Sequence, residues 1–484
     1  MWRNHPRIRA AVLFLILSAA LAAIHAPYLS LPFHWDEQGQ FVPAALDLFR
    51  DGSWVTHSTL PNVHPPAVMA LLALVWHIFG YSIASARLAM LAVAAAGSVF
   101  AYLLARRLGA PALLSTLFLL ATSLFYIQSM MVLLDMPAMA LTALALLLFL
   151  DNRWAASAAA CILLVLTKET ALTTPLVFAV WLWSQTKHRR EALYFLAPAV
   201  ALAIWLVVLH RATGYWLGNP YFGQYNVNGA LHPLPILYSA AERFLFLFVK
   251  DGRFLGLIAL YFGWRLLRTQ DWAVAALVAL AQLALVTVLG GAVLDRYLLP
   301  ILPILYAAFA TSALAYSTRT RWISHAALLT ALVAGLFWNP PYPFQYEDNL
   351  AMVDFVDLQR TAAQYLESRA PSQRIASMWP FTGAIEKPDF GYLTRPLRPV
   401  NIDSFELAQI LALDRRRFDV LVVYSRQYQM EGTWLDRPPL HALLQRLPGY
   451  HPQATEDELA AHGFLPQARW QRHGQWIEVY ATGN

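Results

Sequence analysis

Eleven runs of apolar residues, at about 10–27, 83–105, 111–127, 136–150, 154–167, 170–184, 191–210, 252–267, 272–290, 297–316 and 322–338, fill most of the first 340 positions of this chain. Crossing the hydrocarbon core of a bilayer takes about 20 helical residues, and there every backbone N–H and C=O must find its partner inside the protein. The pattern predicts a polytopic α-helical membrane protein of eleven spans. Several runs are shorter than about 17 residues, so their ends extend into flanking polar residues or cross a thinned bilayer. Composition agrees: the chain is 58% hydrophobic and 13% charged, against about 45–50% and about 25% in soluble domains. One cysteine, Cys161, excludes an intrachain disulfide framework or a cysteine metal cluster.

The placement of charge sets the layout. Residues 1–340 hold 21 of the 35 Lys+Arg and 12 of the 29 Asp+Glu, and the last 144 residues hold the remaining 14 and 17. The chain therefore divides into a transmembrane domain, 1–340, and a C-terminal domain of ordinary charge, 341–484. With the N-terminus inside, thirteen of the 21 cations fall on the inner face and eight on the outer, which favours N-inside and C-outside by the positive-inside rule. The net charge of +6 thus belongs to loops of a membrane protein, and no nucleic-acid partner is expected. Arg3, Arg7 and Arg9 before an apolar stretch also fit a cleaved signal peptide, but an uncleaved first span orients the ten that follow. The segment 66–80 is opened by Pro65-Pro66 and holds His77, so it reads as a helix lying at the outer interface. Two long outer loops result, 28–82 and 211–251, and loops of that length usually carry function.

Beyond residue 340, Arg374–Trp379 and Asp419–Ser425 read as buried strands, with helical patterns around 354–369 and 404–416. This predicts a small extracytoplasmic α/β domain. It has no glycine-rich phosphate loop and no nucleophile elbow, so catalysis is not assigned to it.

Ionisable groups at membrane depth cost roughly 2.5–3.5 kcal/mol each, so those present are candidates for function. Asp36-Glu37 follows the first span; the pair can bind a cation, accept a proton or solvate a loop. Asp135, amid apolar residues and followed by Met136-Pro137, either caps a helix or serves the chemistry. Lys168 lies between two apolar runs, where it can snorkel to the interface or meet a lipid-linked phosphate as a point charge. Arg296, in Asp295-Arg296-Tyr297, can close a local ion pair or bind phosphate with its fork. His64, before Pro65-Pro66, suits a phosphate, a metal or a bland surface position, and Arg87 suits an interfacial anchor or an anion. Together these acids and cations converge on the outer leaflet from four separate turns.

The order of these motifs resembles the family 39-type glycosyltransferases of the GT-C superfamily, bacterial relatives of protein O-mannosyltransferases and of the aminoarabinose transferase that modifies lipid A. The resemblance covers about residues 1–320. It rests on Asp36-Glu37, His64-Pro65-Pro66, Ser85-Ala86-Arg87-Leu88, Leu134-Asp135-Met136-Pro137, Thr167-Lys168-Glu169 and Asp295-Arg296-Tyr297-Leu298-Leu299-Pro300. It implies transfer of a sugar from a polyprenyl-phosphate carrier to an acceptor on the outer face of the membrane. Asp36 would then be the general base, with Glu37 and Asp135 lining the same cavity. Lys168, Arg296, His64 and Arg87 would meet the phosphate, supported by Tyr297. Some relatives carry lysine where this chain has His64. Metal use varies among them, a divalent metal is compatible with the acids, and the sequence assigns no ligand.

Two rivals make different demands. A flippase of lipid-linked sugars should place polar groups near the midplane between repeated halves, whereas these cluster at the outer ends of spans and no repeat is visible. A membrane receptor explains the C-terminal domain but not charges spread over four outer turns.

Overall fold

The computed structural model describes residues 6–228, 231–289, 291–338, 347–426, 437–444 and 452–482; Arg3 and the expected domain boundary at 340 lie outside them. The helices of the first part are α1 Pro6–Ile24, α2 Val42–Asp51, α3 Ala67–Phe79, α4 Ile83–Arg107, α5 Ala112–Ala121, α6 Ser123–Met130, α7 Asp135–Leu150, α8 Trp154–Thr167, α9 Thr173–Ser184, α10 Arg189–Ala192, α11 Leu196–Thr213, α12 Pro220–Gly223, α13 Pro233–Phe248, α14 Phe254–Gly263, α15 Gln270–Val288, α16 Leu302–Ser312 and α17 Thr318–Phe337. Among the described residues, each of the eleven apolar runs is helical over most of its length. Among the described residues, five helical segments, at Ile83–Arg107, Thr186–Thr213, Gln270–Val288, Asp295–Ala315 and Thr318–Phe337, are long and apolar enough to cross a membrane, and α5 with α6 makes a sixth if that pair, bent by 72°, is one span. The chain is a multi-pass α-helical membrane protein.

Two findings depart from the sequence reading. The run 111–127 breaks in two at Thr122, and the expected outer loop 211–251 contains a sixteen-residue helix, α13. The segment 66–80, expected to lie at the interface, holds the helix α3, which packs on α2.

Chain packing forms two units, Met1–Leu29 with Gln40–Leu336, and Ser30–Gly39 with Phe337–Asn484. In the first, α7 and the segment Asp295–Ala315 are largely enclosed: residues 301–313 are buried throughout, and most of α7 is. Aromatic packing locks the bundle around them, with Phe149 of α7 stacked on Phe178 of α9 at 4.1 Å and Phe195 against both. Burying a side chain of this size contributes roughly 1.5–3 kcal/mol. Local signals set the ends: the Ser82 side chain accepts from the Ser85 N–H at the start of α4, and Gly52, with φ of 68°, ends α2 in the left-handed region that glycine enters without penalty.

The second unit holds α18 Ala351–Arg369, β1 Arg374–Ser377, α19 Phe381–Glu386, β2 Arg398–Asn401, α20 Leu407–Leu411, β3 Val420–Tyr424, α21 Pro438–Leu444, α22 Glu456–Ala461, β4 Phe464–Arg472 and β5 Gln475–Thr482. The strands form one sheet in the order β2-β1-β3-β5-β4, in which β1 pairs parallel with β2 and β3, and β5 antiparallel with β3 and β4. All five residues of β3 are buried, as expected for a parallel-paired strand covered on both faces. Helix α18 covers β5 and β4.

Candidate functional site

Four predicted residues meet at the beginnings of α7 and of the segment Asp295–Ala315, two largely enclosed elements of the first unit. Asp135 is the first residue of α7. Its side chain meets two cations. Lys168, in extended backbone where α8 ends, places Nζ on Asp135 Oδ1 in a buried ion pair, and Arg296 Nε lies 3.4 Å from Asp135 Oδ2. The carboxylate also sits where the positive end of the α7 dipole favours it. All three side chains are less than one-tenth exposed.

Tyr297 organises the cations. Its ring centroid lies 4.1 Å from Lys168 Nζ, 5.8 Å from the Arg296 guanidinium carbon and 6.0 Å from that of Arg243. The negative face of an aromatic ring attracts each of them, with about 0.5–2 kcal/mol per contact according to desolvation. Arg243, on α13, is buried; its Nε donates to Ser239 Oγ at 3.1 Å and one terminal nitrogen to the Val286 carbonyl at 2.6 Å, while among the described residues its other terminal nitrogen has no hydrogen-bond partner. Next in the chain, Asp295 accepts from Lys250 Nζ at 3.1 Å. Among these groups, three cations surround one ring, and two of them, Lys168 and Arg296, share the buried carboxylate of Asp135. Such an arrangement can receive an anion with several oxygens, because its donors are fixed before the ligand arrives.

The other predicted residues have different places. His64 Nδ1 is 2.9 Å from Glu169 Oε2, between the rings of Phe41 and Phe222, so the histidine holds the residue next to Lys168. Arg87 is buried in α4 and donates to the Met130 carbonyl at the end of α6 at 2.9 Å. Asp36 and Glu37 belong to the second unit. There Glu37 is buried and its Oε2 accepts the His34 N–H at 2.8 Å, closing the turn that presents the half-buried Asp36.

Among the described residues, one group of three has the spacing of metal ligands: Asp47, Asp51 and His57, whose ligand atoms lie within 4.8 Å of one another. Its geometry is that of a loop clip. Asp47 Oδ2 accepts from Thr56 Oγ1 at 2.6 Å and from the N–H groups of His57 and Ser58 at 2.8 and 3.0 Å. Burial pushes the Asp47 carboxyl up, and these bonds outweigh it and hold the group below its ordinary value. The trio includes none of the predicted site residues.

No family model matches the sequence, and no curated protein matches it. Solved structures do. ArnT from Cupriavidus metallidurans bound to undecaprenyl phosphate superposes with a TM-score of 0.56 at 13% identity, covering 97% of each chain, and its apo state gives 0.52 at 14%, covering 97% of this chain and 98% of that one. This chain has the ArnT fold. A weaker likeness, with a TM-score of 0.43 at 14% identity, is to the mycobacterial arabinofuranosyltransferase AftD, of whose length 40% is matched.

Within this ArnT-like bundle, Arg243 is the one member of the cluster that sequence reasoning did not single out. Its signal was present: Ser239, Arg243, Phe246 and Leu247 are spaced as one helical face, and all four are buried in α13.

Proposed function

We propose that this protein is an integral-membrane glycosyltransferase that moves a sugar from a polyprenyl-phosphate carrier to an acceptor hydroxyl or amine on the outer face of the membrane. The observation that carries the reading is the buried group of Lys168, Arg296 and Arg243 around the Tyr297 ring. The fold supports it, since ArnT was solved with undecaprenyl phosphate bound.

In this reading the carrier phosphate rests on Lys168, Arg296 and Arg243, with Tyr297 keeping the three cations in register. Asp135 neutralises part of the charge, and His64, through Glu169, keeps Lys168 in place. Asp36 takes the acceptor proton as the new bond to the anomeric carbon forms. The bond from that carbon to the phosphate oxygen breaks, and its electron pair leaves with polyprenyl phosphate. The phosphodiester gains a negative charge as it departs, so cations placed beforehand lower the barrier. A carboxylate within hydrogen-bond reach of the acceptor can take that proton as the bond forms. A single displacement inverts the anomeric configuration.

The test is release of undecaprenyl phosphate from a panel of undecaprenyl-phosphate sugars by the protein in lipid nanodiscs, with a membrane extract supplying acceptors. Release that requires the extract and falls at least about 100-fold in Asp36→Asn, within the usual range for general-base catalysis, is the expected result. Unchanged release in that variant removes Asp36 from the base role, and saturable carrier binding without release by the wild type favours transport.

A further inference from the structure

Asp36 sits on a ten-residue segment, Ser30–Gly39, that packs with the C-terminal unit. The segment is gripped on both sides of the carboxylate. Ahead of it, the Phe33 N–H donates to the Phe390 carbonyl at 3.0 Å, and the His34 ring meets Phe355 edge-on at 5.6 Å. Behind it, Gln38 Nε2 donates to the Pro380 carbonyl at 3.3 Å. Trp379 spans the centre. Its ring lies 6.2 Å from that of Trp35, and a Cβ placed on Gly39 would stand 3.0 Å from its edge.

Trp379 is itself held from beneath. Its carbonyl accepts from the Tyr424 hydroxyl at 2.6 Å and from the guanidinium of Arg426, which lies 6.0 Å from the Trp35 ring. Tyr424 ends the buried strand β3 and also donates to the Met378 carbonyl at 3.2 Å. A line of contacts thus runs from the sheet through Trp379 to the residues flanking Asp36. Trp35, with φ of 51°, holds a left-handed conformation that a bulky residue rarely adopts and that persists where surrounding contacts over-determine it. That conformation turns the chain so that the N–H groups of Gln38 and Gly39 both reach the Trp35 carbonyl, at 3.1 and 2.9 Å.

We propose that the C-terminal unit is the positioning element of the transferase: Trp379, fixed by Tyr424 and Arg426, clamps the 30–39 segment and so sets the approach of Asp36 to the acceptor. This rests on the reading of Asp36 as the base. Trp379 acts through Asp36 and is a positioning residue; its loss should lower turnover and leave donor binding alone.

The experiment uses the full chain in nanodiscs and the undecaprenyl-phosphate sugar that the wild type turns over. Trp379→Ala removes the ring, and Gly39→Ala drives a methyl group toward it, so the second variant carries the test should the first fail to fold. In both, amide exchange at residues 33–39 rises, kcat falls about 100-fold, as a misplacement near 1 Å produces, donor KM stays within about twofold and the unfolding midpoint holds. Trp379→Phe recovers most of the rate. Exchange unchanged in both variants, exchange raised with kcat intact, or a loss confined to donor KM overturns the clamp. Turnover retained by Asp36→Asn is a separate result, and it brings down the base assignment on which the clamp rests.

Discussion

The face of the Tyr297 ring meets Lys168, Arg296 and Arg243, so the ring is what holds these cations in register. Tyr297→Phe keeps that face and should leave donor KM near wild type, whereas Tyr297→Leu should raise it by about tenfold, the worth of one partly desolvated cation–π contact. Lys168→Ala and Arg296→Ala go further, to about 10–100-fold, because charge-assisted hydrogen bonds contribute about 1.5–3 kcal/mol. Both should also destabilise the fold, since each leaves Asp135 buried with one cation fewer. Titration of undecaprenyl phosphate against each variant checks the series, and a Phe variant as weak as the Leu one would shift the role to the hydroxyl. Asp135, Lys168 and Arg296 were legible in sequence because charge among apolar residues is costly enough to demand a reason. Arg243 carried no such mark while 211–251 read as a loop, where a cation costs little. Its depth emerges only when α13 folds and buries the face that holds it.

At the scale of elements, the apolar run 111–127 shows where periodicity stops being informative. It contains no proline or glycine beyond its first residue, Pro111, yet the chain bends by 72° between α5 and α6. Thr122 supplies the reason. It leaves the helix for extended backbone, with φ −69° and ψ 126°, while its Oγ1 donates to the Phe118 carbonyl four residues back, at 2.8 Å, and meets the Tyr306 hydroxyl of α16 at 2.7 Å. Tyr306 in turn accepts from Arg253 Nε at 3.0 Å, and Arg253 is fully buried just before α14. One hydroxyl therefore ties the bend to α16 and to a buried cation, a tertiary arrangement that no local spacing encodes. Tyr306→Phe should lower stability by about 1–3 kcal/mol, the cost of leaving a buried donor unmet, seen as a fall in the thermal unfolding midpoint in detergent. An unchanged midpoint would show that the bend holds without this link.

At the scale of the whole molecule, orientation turns on α3. If α3 crossed the bilayer, every later span would reverse, and Arg106, Arg107 and the cluster from Lys187 to Arg190 would lie outside. Thirteen residues of helix reach about 20 Å, short of the roughly 30 Å core. Length alone does not decide, because α8 has only fourteen residues. The partner of α3 is more telling. It packs on α2, which carries Asp47, Arg50 and Asp51, and a hydrocarbon setting would charge roughly 2.5–3.5 kcal/mol for each such group. The pair is therefore expected along the interface, where the exposed Leu74, Ile78 and Phe79 of α3 would face lipid. On that layout the positive-inside rule predicts the cations of residues 106–107 and 187–190 inside and the second unit outside. With the native Cys161 replaced by alanine, a cysteine at Gly109 should react with an impermeant maleimide only from the cytoplasmic side, and one at Asp403 only from the outer side. Labelling of Gly109→Cys from outside would place α3 across the bilayer and carry Lys168, Arg296 and Arg243 to the opposite leaflet.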